Sequence, residues 1–336
     1  MPSVTVRGKK RMLLAEGSYF IIGGAGFIGS HFTDALLASE KTRLVTIFDN
    51  FSSGREWHCE AHQSDRRFRV IHADASDIDA LTATMEGHDW VIHLASNADI
   101  AAAAERPEVD FYRGTLLTNN VVEAMRRAGL RRLLYASGSG VYGDAGDKLV
   151  REDYAPMVPV STYGASKLAG ESLIASYCAM FGLHACAFRF GNVVGPRQTH
   201  GVGYDFLRSL SAKPRRLRIL GDGRQSKPYI YVTDVVEAAL CAAVKATAPF
   251  SVFNVATDDA VTVTEIADLA VEVVGLEDKP AFDYTGGARG WRGDVPVVRL
   301  DSTRMRSLGW FPKRNSRDAM RQSLQELMAD ERILRN

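Results

Sequence analysis

Residues 18–31 read SYFIIGGAGFIGSH, and the division of that stretch decides the fold. The run Tyr19–Ile22 is apolar at consecutive positions, as a strand covered on both faces should be. Gly23, Gly26 and Gly29 then recur at GxxGxxG spacing, and a helical pattern opens at Phe27. Glycines there permit a tight turn, and a helix N-terminus offers free N–H groups and a partial positive charge, which suits a pyrophosphate. Asp49 ends the next apolar run about 20 residues beyond Gly29, where a carboxylate bonds ribose hydroxyls and repels a 2′-phosphate. Strand, glycines, helix and acid in that order predict a dinucleotide site that favours NAD over NADP.

The same alternation continues outward. RLVTIFDN (43–50), FRVIHAD (68–74), WVIHLAS (90–96), RLLYAS (132–137) and ACAFRF (185–190) read as strands, with helical spacing between them, which is the pattern of an α/β fold built on a doubly wound parallel sheet. From about Gly191 the loops become rich in Gly, Pro and Arg and the helices shorten, so a second, smaller lobe is expected. YIYVTDVVEAALCAAVKA (229–246) again reads as strand and helix and suggests a return to the first lobe.

Composition sets bounds. The 336 residues are 46% hydrophobic with a formal charge of +1, ordinary for a globular core and without bias toward nucleic acid or an anionic surface. The basic run KPRRLR (213–218) lacks the interleaved aromatics of a nucleic-acid site. No segment has a signal-peptide core or approaches the roughly 18 apolar residues of a membrane span, so a soluble cytoplasmic protein without membrane contact is expected. Cys59, Cys178, Cys186 and Cys241 form no CxxC pair and read as buried thiols. His58 and His62 in HCEAH read as a solvated surface pair, His72 and His93 as core or cofactor-adjacent, and no metal site is expected.

VSTYGASKLAGES (160–172) puts Tyr163 and Lys167 four apart on a helix, hence on one face. A phenol of pKa about 10 is too weak a base near neutrality, and a nearby ammonium favours the phenolate. Together, GGAGFIG (23–29), Tyr163-Gly-Ala-Ser-Lys167, RFGNVVGPR (189–197) and GDGRQSKPYIYVTDV (221–235) resemble the extended short-chain dehydrogenase/reductases that act on nucleotide sugars, most nearly the UDP-glucose 4-epimerase-like members. The resemblance runs from about Ser18 to Met328.

It implies a Rossmann-type NAD-binding domain over residues 18–190 with a return segment at 228–257, and a nucleotide-sugar lobe from 191–227 and 258–330. Hydride would leave C4 of the sugar and return to the other face of a 4-keto-sugar, with Tyr163 as acid/base and Lys167 bonding the nicotinamide ribose and tuning the phenol. The expected cofactor residues are Gly23, Gly26, Phe27, Ile28, Gly29, Asp49, Asn50, Ser53, Gly54, Asp74, Ala75, Leu94, Ala95 and Ser96, with Tyr163 and Lys167. Asn97, Asn192, Leu217, Leu220, Gln225, Lys227, Arg289 and Arg292 are the expected substrate residues. In relatives the helix after Lys167 and the one near Asn119–Arg127 pair across a homodimer.

This chain departs from that pattern at several positions. The Ser or Thr that relatives carry four residues before the tyrosine of VYG is Gly138, and Ser139 is the expected substitute. The Asp-Glu pair of sugar 4,6-dehydratases is replaced by Ser139 and Gly140, which leaves hydride chemistry at one carbon. Gly114 stands where relatives often have an active-site asparagine, Lys227 replaces an arginine of the diphosphate clamp, and Trp291 replaces another. A net nucleotide-sugar oxidoreductase and a noncatalytic NAD-binding protein are the alternatives; retention of both Tyr163 and Lys167 argues against the second.

Overall fold

The chain, described here by a computed structural model over residues 13–98 and 101–334, is organised by one seven-stranded sheet. Strands β1 (Gly17–Ile22), β2 (Thr42–Asp49), β3 (Phe68–His72), β4 (Trp90–His93), β5 (Arg132–Ala136) and β6 (His184–Phe190) join the strand Phe250–Val255. From one edge the order is β3, β2, β1, β4, β5, β6 and Phe250–Val255, every pairing parallel. The order reverses between β1 and β4, where a crevice opens at the carboxyl ends of the strands.

Alternate strand residues feed two apolar layers. Tyr19, Ile21, Val45, Ile47 and Leu134 pack with Phe32, Leu36 and Val235 from the helices Phe27–Leu37 and Val232–Lys245. Phe20, Ile22, Leu133 and Tyr135 pack on the opposite face with Leu81, Val121, Val122 and Ile174 from the helices Ile78–Met85, Leu117–Arg127 and Thr162–Phe181. β3, an edge strand, is largely exposed.

A third cluster belongs to the later part of the chain. The helices Val202–Ala212, Val263–Val274 and Ser316–Ala329 bury Leu207, Ile266 and Leu324 together with Leu217 and Ile219 of the strand Arg216–Ile219. Tyr229–Tyr231 pairs with Asn192–Val194, so the chain passes between the two regions immediately after β6 and again before Val232–Lys245. All four cysteines are buried free thiols, and among the described residues no helix is long and apolar enough to cross a membrane.

Candidate active site

One cavity of about 1020 Å³ runs from the glycine turn after β1 to the loops of the third cluster. Gly23 has φ +81°, and a β-carbon on it would lie 2.8 Å from the Ala95 amide nitrogen, so the turn passes close against the end of β4. Gly26 caps the helix Phe27–Leu37 without a side-chain hydrogen bond, which leaves the first N–H groups of that helix without a side-chain acceptor, facing the cavity.

The Asp49 carboxylate accepts from the Ala25 N–H (2.9 Å) and the Phe51 N–H (2.8 Å), while burial pushes its pKa up. Asn50 donates to Asp74 at 2.6 Å, and the Ser76 N–H is the chief cause holding the Asp74 carboxyl below its ordinary value. Donors at an anion site, a buried acid at a ribose position and glycines that admit close approach fit NAD.

The wall opposite is built by the helix Thr162–Phe181. Ser161 caps it by accepting from the Gly164 N–H at 3.1 Å, and the four-residue spacing lines up Tyr163, Lys167 and Glu171 on one face. Lys167 Nζ donates to the Ala136 carbonyl at 2.8 Å and lies 5.6 Å from the centroid of the Tyr163 ring. Burial brings the Lys167 pKa down to about 8, against the opposing charges of Asp110 and Glu171. Tyr163 is also governed by burial, which raises its pKa, while the facing side chain of Ser96 favours the phenolate.

The stretch after β5 has two kinds of serine. Ser137 Oγ donates to Glu171 at 2.6 Å and is committed to a buried network; Ser139 lines the cavity. Gly138 is extended (φ −170°, ψ 165°), and a β-carbon on it would meet no protein atom within 4 Å. A β-carbon on Gly114 would lie 2.0 Å from Ser166 Oγ, so Ser166 fills the position expected for an asparagine side chain.

Of the residues expected from sequence, the cavity brings together Gly23, Gly26, Phe27, Ile28, Gly29, Asp49, Asn50, Ser53, Asp74, Ala75, Leu94, Ala95, Ser96, Asn97, Ser139, Tyr163, Lys167, Asn192, Leu220, Gln225 and Lys227. Four others lie elsewhere. Leu217 is fully buried in the third cluster, on the opposite side of its strand from the cavity-lining Arg218. Arg289 is drawn away by Asp144 (2.6 Å) and the Asp294 carbonyl, and Arg292 is exposed outside the wall. Gly54 packs behind the glycine turn, where a β-carbon would lie 2.8 Å from the Ala25 Cβ.

Lys227 reaches the cavity paired to the buried Asp294 at 2.5 Å, beside Trp291. Residues the motifs do not indicate also line it, among them Tyr112, Arg113, His200 and Arg218. Only Arg218 has a local signal, the two-residue alternation of its strand.

The histidine pair is not a solvated surface feature. His58 is buried with Nδ1 2.7 Å from the Ala25 carbonyl, and His62 Nε2 is 2.7 Å from Asp34. His72 is exposed beside Asp49, and His93 is buried against Thr118 at 3.1 Å. Among the described residues no three His, Cys, Asp or Glu side chains converge as a metal site.

Residues 19–256 match the model of the NAD dependent epimerase/dehydratase family. The UDP-glucose 4-epimerase of Mycolicibacterium smegmatis is 34% identical over 300 residues, 87% of this chain and 93% of that protein. A crystal structure of UDP-galactose 4-epimerase superposes with a TM-score of 0.82 at 37% identity, covering 93% of this chain and 99% of that one. The UDP-glucose 4-epimerase of Thermus thermophilus in complex with NAD gives 0.81 at 29% identity, covering 92% and 98%. With the glycine turn, the acid after β2 and the helix-borne Tyr163 and Lys167 in one cavity, the chain belongs to the NAD dependent epimerase/dehydratase family, and NAD is its cofactor.

Proposed function

We propose that this chain is a nucleotide-sugar 4-epimerase that inverts C4 through a 4-keto-sugar. The observation that carries the reading is that Tyr163 and Lys167 line the same cavity as the glycine turn at one end and Asn192, Gln225 and Lys227 at the other. Residues 18–190 and 228–257 serve the cofactor in this reading, and residues 191–227 and 258–330 the nucleotide sugar. The helix N-terminus at Gly26, Asp49 and Asp74 hold NAD, whose chemistry when bound is to accept and return hydride at one carbon.

Tyr163 Oη takes the hydroxyl proton as that carbon is oxidised and gives it back on reduction. Lys167, fixed to the Ala136 carbonyl, keeps a positive charge beneath the phenol and orients a ribose hydroxyl. Ser139 and Gly140 bring no second acid or base, so protons on neighbouring carbons stay in place. UDP-linked hexoses are the first substrates to try, since the relatives named above act on them. Exposed Phe111, Tyr112, Met180 and Phe181 lie on or just before the two helices expected to pair in a homodimer, and buried thiols suit the reducing cytoplasm.

Proton NMR of the protein with UDP-glucose in D2O tests this reading. Conversion to UDP-galactose with no solvent deuterium at carbon is expected. Accumulation of NADH with a keto-sugar would make it a net oxidoreductase instead, and deuterium at C3 or C5 would overturn the single-carbon mechanism.

Gly138→Ser is expected to fold normally and to raise kcat/KM about 3- to 10-fold, as one new hydrogen bond to the reacting oxygen is worth about 1 kcal/mol. Ser139→Ala is expected to lower it by a similar factor in the native background and by less when combined with Gly138→Ser. Equal losses in both backgrounds would show that the two hydroxyls serve different atoms.

A further inference from the structure

Asp110 is 1% exposed, lies outside the cavity wall, and belongs to no motif of the sequence. It ends the short helical turn Glu108–Asp110, where the backbone widens into the π-helical segment Phe111–Leu116. Such insertions turn side chains out of the register of an α-helix. Its Oδ1 accepts from Asn97 Nδ2 at 2.9 Å and its Oδ2 from Thr162 Oγ1 at 2.6 Å. Asn97 follows Ser96 on the loop after β4, and Thr162 precedes Tyr163 on the helix. One carboxylate thus ties together the two segments whose side chains meet at the phenol.

We propose that Asp110 is a positioning residue of this active site, clamping the Ser96–Asn97 loop to the helix start at Tyr163 and holding a negative charge behind the phenol and the Lys167 ammonium. The assignment rests on the reading of Tyr163 as the proton-transfer group.

Other groups face the pair. Glu171 is one turn along the same helix and is matched by Arg189; His93 comes from β4, and Tyr135 from β5 lies with its ring centroid 5.2 Å from Lys167 Nζ. Burial pushes the His93 pKa down to about 3, with the Lys167 charge adding to the effect, so that imidazole is neutral. Glu171 being paired, Asp110 is the carboxylate whose charge bears on both catalytic groups: it disfavours the phenolate and supports the ammonium. Removing a negative charge from beside two titrating groups must lower both pKa values.

Asp110→Asn keeps the shape and can bond Asn97 and Thr162 while losing the charge. The first readout needs no substrate. An ultraviolet difference titration of tyrosinate in the NAD-loaded protein, each form compared with its own Tyr163→Phe partner, isolates the Tyr163 phenol. The midpoint is expected to fall by about 0.5–1 pH unit, below the roughly 1–3 units of a directly adjacent charge. Thr162→Val breaks one clamp bond with the charge intact, and is expected to lower turnover while moving the midpoint by less than about 0.2 unit.

With UDP-glucose turnover as the second readout, both limbs of the kcat/KM profile are expected to move toward acid in Asp110→Asn. An unmoved or raised tyrosinate midpoint in Asp110→Asn, or an equal fall in Thr162→Val, would overturn the proposal. If Asp110→Asn does not fold, Asp110→Ser offers a second neutral group, with the same expected fall. A wild type inert to UDP-glucose would sink the epimerase reading, while the titration would still decide Asp110.

Discussion

Tyr163→Phe is expected to bind NAD as the native chain does and to lose about 10²–10⁴-fold in turnover of UDP-glucose. The substitution removes one oxygen and leaves the ring, the Ser161 cap and the Lys167–Ala136 contact in place, so helix position is not at issue. What it removes is the atom that carries the proton. Without it, oxidation of the sugar carbon would have to pass its proton to water or to a serine, and a serine hydroxyl is a far weaker base than a phenolate. NMR turnover and thermal unfolding should be measured on the same sample. A residual rate above a tenth of the native one, in a protein of unchanged stability, would show that Tyr163 is not the acid/base. The pH dependence gives a second check. Because burial raises the phenol and lowers Lys167 to about 8, activity should fall on the alkaline side as the ammonium is lost, and Tyr163→Phe should carry little of that dependence.

The cofactor half of the site is legible in the sequence because its signals are local. A strand, three glycines and an acid lie within one βαβ unit, and each reports its own backbone or charge requirement. The substrate half is less so. Leu217 and Leu220 are both expected at the ligand, yet they sit three apart on an extended segment and have opposite parity; the strand buries Leu217 and Ile219 and turns Arg218 to the cavity. Two-residue alternation carries that conflict openly. Arg289 is lost to a partner 145 residues away in sequence, and Asp110 bonds groups 13 and 52 residues away, across a π-helical segment that leaves no periodic trace. The solvated reading of His58 fails for a similar reason, since its partner is the Ala25 carbonyl of the glycine turn. In each case the decisive contact is tertiary, and a charged or polar side chain follows whichever partner the fold brings near.

Arg189→Met is expected to cost about 3–5 kcal/mol of stability, the loss seen when one member of a buried ion pair is removed. Arg189 and Glu171 are 3% and 5% exposed and meet through two bonds, Nη2 to Oε2 at 2.6 Å and Nε to Oε1 at 3.0 Å. The guanidinium also donates to Tyr142 Oη (2.9 Å) and the Glu152 carbonyl (3.1 Å), and Tyr142 in turn donates to Asn254 at 2.7 Å. Methionine would fill much of the volume but leave the Glu171 carboxylate in an apolar interior, with the Ser137 hydroxyl as its remaining donor among the described residues. Urea unfolding of Arg189→Met, Glu171→Met and the double variant separates charge from packing. If the cost is that of a stranded charge, the double variant should recover most of it, because two apolar side chains need no partner. If instead the double variant is no more stable than Arg189→Met, while Glu171→Met loses less, the loss lies in the hydrogen bonds from Arg189 to Tyr142 and Glu152. Activity should follow the same ranking, since Ser137 adjoins Gly138 and Ser139 and Glu171 shares a helix face with Lys167; a stranded Glu171 would draw Lys167 off the Ala136 carbonyl and away from the phenol it serves.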